Sequence, residues 1–547
     1  MSPLTGRVSA GKEHAMGKEK TIPITIGVTG HRAVREEDRE ALYAAVMSEL
    51  KLLRELYPNS PFVMLNSLAE GADQLCADAA REQEIPIVAV LPMDAELYEK
   101  DFSPEGLERF RFHCAHARQV FTAPFTESPD GAPDRHFLFR QAGIYLVTHS
   151  HLMLALWDGG EGKDGCGTAD VVDFSLHGSF TPSGSVPLRS DSKEAVIHIF
   201  TPRGSHTEEP AGTCHILGNC QAVADELKKT DDFNRLAAAL PPPRRRLLPE
   251  DTADPVLSAM ESVYLAASSI STSAAATFRR ILAQLAVTST IVTVAFLLYD
   301  EAEAIWMIYV CGLMVLADWL AQRYARKTDC HRRYIECRAL AECLRVQAFL
   351  SYAGSDVQAS ELLTWTQQEE TAWIKDALCA LSVGSHSGRP HDILECWVED
   401  QRRYHAGAHN KAERSADTSG RVVGTALIVS VGLYVSALLF EILFGGELGL
   451  RPIADVGNVE TYRTWLKIVL GGISAVTLFV ANYYGKLSLS RQLSDHDKMA
   501  RFYGEVAEQI RRRGQTDEVL TVLAREELIE NGNWCSYQRD NKPDLGI

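Results

Sequence analysis

The stretch Ile281–Tyr299, ILAQLAVTSTIVTVAFLLY, is nineteen residues without a charge, set between Arg279–Arg280 and Asp300–Glu301. A helix rising about 1.5 Å per residue carries such a run across roughly the 30 Å of a bilayer's hydrocarbon core. A buried helix of a large soluble domain is the alternative. Three more apolar runs, Ala304–Ala317, Val422–Phe440 and Ile468–Gly485, have similar charged flanks and favour four membrane helices. Only Asp300–Glu303 separates the first two, so they pair as a tight hairpin. Lys and Arg gather at Arg323, Arg326 and Lys327, and again at Lys411, Arg414 and Arg421, whereas the first hairpin loop has none. The positive-inside rule then places both termini and residues 323–420 in the cytoplasm. Among polar residues in or beside the runs, Asp318 and Asn482 are candidates for a pore or gate, with interhelical hydrogen bonding as the other role.

What precedes the first run must therefore work beside a membrane. With 547 residues, the chain has length for several compact units. Its formal charge of −17 argues against a nucleic-acid polymer as partner, because that contact needs basic stripes. Twelve cysteines without a CxxC pair give no zinc pattern and suit a reducing compartment. No metal site and no tightly held cofactor is expected. The first 21 residues are polar, lack the apolar core of a signal peptide, and read as a loose tail.

From Ile22 the pattern changes. Apolar runs at 22–28, 62–66, 85–91, 152–156 and 196–200 read as strands, the last ending the series. Helices are expected over 36–56, 72–83 and 169–176. Strands alternating with helices predict a Rossmann-like parallel sheet covered on both faces. In such sheets the ligand crevice lies outside the carboxyl ends of the strands. Turns bearing glycine fall at that edge: Gly27-Val28-Thr29-Gly30-His31-Arg32, Glu70-Gly71-Ala72-Asp73, Pro92, Asp158-Gly159 and Gly165-Cys166-Gly167-Thr168-Ala169-Asp170. Glycine lets a backbone approach a phosphate, and helix N-termini offer free N–H groups to it. The same glycines also serve ordinary tight turns.

Gly27, Thr29, Gly30, His31 and Arg32 thus form a candidate phosphate cradle, with the Arg32 guanidinium suited to bidentate anion contact. His31 is equally readable as a structural histidine. Glu70, with Gly71, and Asp73 are candidates to accept from ribose hydroxyls, or else to cap helices. Gly165, Gly167, Thr168 and Asp170 form a second cradle, and Pro92, Asp158 and Gly159 complete the edge. Residues 160–195, rich in Gly, Ser and Asp, form a loop beside the site.

As an ordered set, GVTGHR (27–32), SLAEGAD (67–73), VAVLP (88–92), ALWDG (155–159) and GCGTADVV (165–172) resemble the SLOG superfamily, the Rossmann-like group of DprA-type and LOG-type proteins. The resemblance implies a bound nucleotide or nucleotide derivative. LOG hydrolases carry PGGxGT followed by a catalytic glutamate; here Cys166 replaces a glycine and Asp170 follows, so a binder is expected before a phosphoribohydrolase and no catalytic residue is assigned. The later half is similar in layout to SLATT modules, two-transmembrane effectors found beside SLOG domains and nucleotide-making enzymes in bacterial defence operons. That resemblance implies an inner-membrane effector, opened by a small nucleotide second messenger that a nearby enzyme supplies. A pore also implies a homo-oligomer, because four helices enclose little room.

The expected organisation is a tail (1–21), a nucleotide-binding α/β domain (22–235), a Pro- and Arg-rich linker (236–255), a helix with the first hairpin (256–322), a cytoplasmic helical segment (323–420), a second hairpin (421–486) and a C-terminal helical segment (487–547). The fold class is an α/β sheet domain followed by an all-α transmembrane region with cytoplasmic helical extensions.

Overall fold

The computed structural model describes residues 20–540, apart from 127–131, 163–164, 179–194, 204–208, 242–245, 250–253, 385–390, 446–458 and 487–488. Residues 1–19 of the tail, and 163–164 and 179–194 of the loop expected over 160–195, lie outside the described residues.

The chain divides into two compact units, neither contiguous in sequence. The first holds residues 1–268, 339–391 and 520–532. Its centre is a seven-stranded sheet of β1 (Ile24–Gly30), β2 (Phe62–Asn66), β3 (Ile87–Leu91), β4 (Gln119–Thr122), β5 (Leu152–Trp157), β6 (Ala195–Phe200) and β7 (Cys214–Gly218), in spatial order β4-β3-β2-β1-β5-β6-β7. Every pairing is parallel except β6 with β7. Residues 24–28 of β1, and all of β2 and β3, are buried, as strands covered on both faces must be.

The wrapping helices are α1 (Arg39–Leu56), α2 (Ala72–Glu82), the short turn α3 (Ala95–Tyr98), α4 (Pro104–His116), α5 (Arg135–Thr148), α6 (Thr168–His177) and α7 (Cys220–Ala238). Leu42, Val46, Leu50 and Leu53 are the buried stripe of α1, at the spacing its sequence predicted. Val196–Phe200 does not end the sheet. β7 follows and closes that edge antiparallel, while β4 forms the opposite edge. Both escaped the sequence reading because neither is a buried apolar run: β4 is Gln-Val-Phe-Thr with no buried position, and β7 alternates exposed with half-buried positions.

Helix α7 closes the sheet's amino-terminal edge. Asn234 Oδ1 accepts from the Ile22 amide at 2.7 Å, and Asp231 accepts from Asn59 N and Ser60 Oγ. The helical part of this unit docks at the same edge. Trp373, in α13 (Ala372–Leu381), donates its amide to Glu226 of α7 at 3.0 Å, and Gln119 at the start of β4 donates to the Gly384 carbonyl. This leaves the carboxyl edge to the loops that carry the candidate residues.

The second unit holds residues 269–338, 392–519 and 533–547. Its main elements are α8 (Pro255–Glu301, whose first residues belong to the first unit), α9 (Met307–Thr328), α14 (Asp400–Phe440, continuing a π-helical turn Leu394–Glu399), α15 (Val459–Lys486) and α16 (Leu489–Arg513). α11 (Ala359–Leu362) and α12 (Trp365–Glu370) belong to the first unit, and α10 (Cys330–Tyr352) and α17 (Asp517–Asp540) have residues in both.

Among the described residues two helices, not four, are long and apolar enough to cross a membrane: Pro255–Glu301 and Leu394–Leu443. α9 falls short because Asp318, Gln322 and Arg323 dilute its apolar run. The described side chains of α15 end at Thr477. The apolar window of Leu394–Leu443 is wholly unburied, with Leu427, Ile428, Tyr434 and Leu438 each more than half exposed. α9 likewise exposes Tyr309, Leu313 and Trp319. Within the first hairpin Thr288 donates to the Asp318 carboxylate, so this acid has an intramolecular partner. Gly471 meets Leu297: a Cβ there would lie 2.5 Å from Leu297 Cδ1, which marks the close approach of α15 to α8. The side chain of Asn482 lies outside the described residues.

Candidate functional site

Strands β1 to β4 march to one side of β1, and the chain then crosses back to lay β5 on its other side. The carboxyl ends of β1 and β5 therefore diverge, and this reversal of strand order opens a crevice. His31, the first residue after β1, stands there, with its amide hydrogen-bonded to Leu156 O of β5 at 3.0 Å. Asp158, just past β5, faces it: Asp158 Oδ1 lies 3.0 Å from His31 Nε2. The third member is Arg203, three residues beyond β6, whose Nη2 donates to His31 Nδ1 at 2.6 Å while its Nε lies 3.6 Å from Asp158 Oδ2.

A guanidinium has donors only, so His31 Nδ1 faces the Arg203 donor, while Nε2 faces both the Asp158 amide, at 3.1 Å, and the Asp158 carboxylate. Burial lowers the His31 pKa first, and the Arg203 charge adds to this; both outweigh the Asp158 carboxylate. The imidazole is thus held neutral at neutral pH. Burial pushes Asp158 upward, yet the Gly160 amide, His31 and Arg203 together bring it below its ordinary value. The result is a fixed anion beside a neutral imidazole and a largely exposed guanidinium. The exposed guanidinium is the group in this set with the charge to contact an anion.

On the other side of β1, Arg32 reaches out over the ring of Phe139, its Cζ 5.2 Å from the centroid, and lies 3.9 Å from Asp101 Oδ2. Behind it, Asp73 is buried, with its carboxyl pushed up to about 7 by loss of solvent; the Ala69 amide and Arg32 only partly offset this. Tyr98 Oη is buried beside this group, and burial above all holds its hydroxyl well above the usual tyrosine range.

The expected residues do not all meet at the crevice. Gly27 lies inside β1, where a Cβ would stand 2.4 Å from Met153 Sδ, and Thr29 is buried in the same strand. Gly30 and Gly71 are explained by packing of two loops. A Cβ on Gly30 would lie 2.4 Å from Ala72 Cβ, and one on Gly71 (φ +90°) only 2.1 Å from Arg32 O. Ala72 N donates to His31 O at 3.0 Å, so the α2 N-terminus clamps the His31–Arg32 turn. Glu70 accepts from Ser103 N at 3.0 Å and from Ser103 Oγ, and so holds the cap of α4. Asp170 accepts from Gly167 N at 2.9 Å, capping its own helix. Gly165 (φ +67°) and Gly159 (φ +79°) have open space around them, Thr168 begins α6, and Pro92 is buried after β3.

Arg203, Asp101, Arg135, Phe139 and Tyr98 were not singled out from the sequence. Arg203 follows a recognised strand at the same edge, and the rule that selected Asp158 would have selected it. The others sit on helices or a turn without a motif, and only the fold brings them together. Among the described residues no group of three or more His, Cys, Asp or Glu is arranged to hold a metal ion.

Fold and site together define an N-terminal, parallel-dominant α/β protein with a polar crevice at the reversal of strand order, followed by a mostly helical region. Among solved structures, the X-ray structure of DNA processing protein A (DprA) from Streptococcus pneumoniae is a weak neighbour, with a TM-score of 0.21 and 15% identity over 29% of this chain and 49% of that one. The likeness thus spans about half of that protein's length, and at this TM-score it carries no argument about function. No family model matches the chain, and no curated protein matches it. The comparisons therefore lend no support to the SLATT part of the resemblance.

Proposed function

We propose that this chain is a nucleotide-sensing membrane effector, in which a ligand bound at the β1–β5 crevice drives the apolar helices to open a pore or perturb a bilayer. The observation that carries the reading is the His31–Asp158–Arg203 group at the reversal of strand order. An exposed arginine beside a neutral imidazole at this edge suits a phosphate ester, and the ribose and base would extend over the neighbouring loops.

The unburied apolar helices support membrane placement. Apolar surface on that scale needs lipid or another chain to cover it. A four-pass arrangement, with α8 paired to α9 and α14 to α15, sets both termini in the cytoplasm of the bacterial inner membrane, and copies of the chain around an axis would line the path. α8 is one uninterrupted helix from Pro255 to Glu301, so it can act as a rod. Its first residues follow the α/β domain and its later ones are the first span. The small-nucleotide messenger, a nearby enzyme that makes it, and a role in antiviral defence belong to this same proposal.

The test is leakage of liposomes carrying the purified chain, across a panel of cyclic and linear nucleotides. One nucleotide class should trigger leakage, Arg203→Ala should abolish the response, and a Gly/Ser insertion near Ala274 should uncouple binding from leakage. Binding without leakage from any preparation would leave a soluble-side sensor only, and free base released from the nucleotide would establish the hydrolase reading. That reading has against it the use of the Asp170 carboxylate as a helix cap.

A further inference from the structure

Two arginines from distant parts of the chain converge on one carboxylate beside the crevice. Arg135, the first residue of α5, donates to Asp101 Oδ2, and Arg32 Nη2 lies 3.9 Å from the same oxygen. Both guanidinia also lean on one ring, with Arg32 Cζ 5.2 Å and Arg135 Cζ 6.0 Å from the Phe139 centroid. The ring keeps the two cations together, where their mutual repulsion would otherwise part them. Among the described residues, Asp101 is the carboxylate they share. It brings one negative charge to two positive ones.

We infer that Arg32 and Arg135 form a second phosphate subsite, that Asp101 is the internal anion occupying it in the unliganded chain, and that the ligand is a nucleotide carrying at least two linked phosphates. This rests on the nucleotide reading proposed above and names the ligand class within it. The first phosphate belongs at His31 and Arg203. His31 and Arg32 are adjacent, with Cα atoms about 3.8 Å apart, and their side chains serve opposite sides of the β1 terminus. On this proposal a ligand with linked phosphates engages both sides of that terminus, and a single phosphate fills one subsite.

Exposure favours exchange. Arg32 and Arg135 are 45% and 49% exposed, so their pairs with Asp101 are screened and readily replaced. A phosphate offers each guanidinium a bidentate contact and more charge than one carboxylate. Asp101 ends the short turn Glu99–Asp101 that follows α3, so its release frees that turn to move.

The experiment measures binding of AMP, ADP, GMP and GDP to the full chain in detergent, for the parent, Asp101→Asn and Arg135→Ala. The parent should prefer the diphosphates. Asp101→Asn should bind them roughly twofold to fivefold more tightly, the scale of one exposed ion pair removed from competition. Arg135→Ala should weaken diphosphate binding by on the order of tenfold and leave the monophosphates unchanged. Equal affinity for mono- and diphosphates, or an Asp101→Asn variant that loses both alike, overturns the second subsite while the nucleotide reading stands. If none of the four binds, and the cyclic and linear panel also fails, the nucleotide reading itself is lost. Melting of each variant without nucleotide separates loss of binding from loss of fold.

Discussion

Gly71 should be the glycine of the crevice loops least able to accept a side chain, and the reason is packing, not ligand approach. Its backbone, at φ +90° and ψ −117°, mirrors the extended region and excludes L side chains. A Cβ would also stand 2.1 Å from Arg32 O and 2.7 Å from His31 O. The His31 carbonyl cannot yield freely, because it already accepts from Ala72 N at 3.0 Å. Gly71→Ala therefore combines about 1–3 kcal/mol of backbone strain with about 1–3 kcal/mol of overpacking. Gly159 is the control: its φ is +79°, but nothing lies within 4 Å of its Cβ position. Gly159→Ala should cost only about 1–2 kcal/mol. Thermal unfolding of both variants in detergent, without ligand, makes the comparison. At roughly 1–2 °C per kcal/mol for a unit of this size, Gly71→Ala should melt a few degrees below Gly159→Ala. Equal melting temperatures would refute the loop-clamp account and return Gly71 to the role of a ligand-contact glycine.

Burial makes two titrations oppose each other. Asp73 has its folded pKa raised to about 7, so its contribution is fully present below about pH 4 and is lost as pH rises toward 7. Asp73→Asn should match the parent near pH 4 and exceed it by up to about 4 kcal/mol at pH 8; parallel pH profiles of the two proteins would sink this. His151 runs the other way. Its ring is buried and accepts from Thr25 N at 3.1 Å, and burial lowers its pKa to about 4. Its contribution is present above about pH 6.5 and is lost as pH falls toward 4, so the Asp73→Asn protein should weaken steadily over that window in chemical unfolding. For the membrane, Ile428, 73% exposed on α14, is the place to add a charge. Ile428→Lys should lower retention in carbonate-washed membranes, since a central Lys costs about 2.5–3.5 kcal/mol. A parent chain that stays monodisperse in buffer without detergent would remove the bilayer from the account.

The sheet was legible because buried parallel strands are apolar throughout. The runs at 62–66, 152–156 and 196–200 correspond to β2, β5 and β6 almost residue for residue. β4 and β7 were not legible, because edge strands need no apolar run and their pairing is decided by the neighbour they meet. The site was legible in part. His31, Arg32 and Asp158 stand at strand ends, and strand ends can be read locally. Glu70 and Asp170 have the composition of ligand residues, and which N–H each would meet depends on where α4 and α6 begin in space.

Local pattern alone therefore determined the alternation of strands and helices, the edge at which a ligand would sit, and the presence of long apolar helices. Periodicity and charge are properties of a few adjacent residues, and they survive without the fold. Tertiary structure decided that β5 lies beside β1, which puts Asp158 and Arg203 on His31, and that α5 folds back to set Arg135 against Asp101 and Arg32. These contacts join residues scores of positions apart. No local spacing encodes them; they follow from the order in which the strands pack.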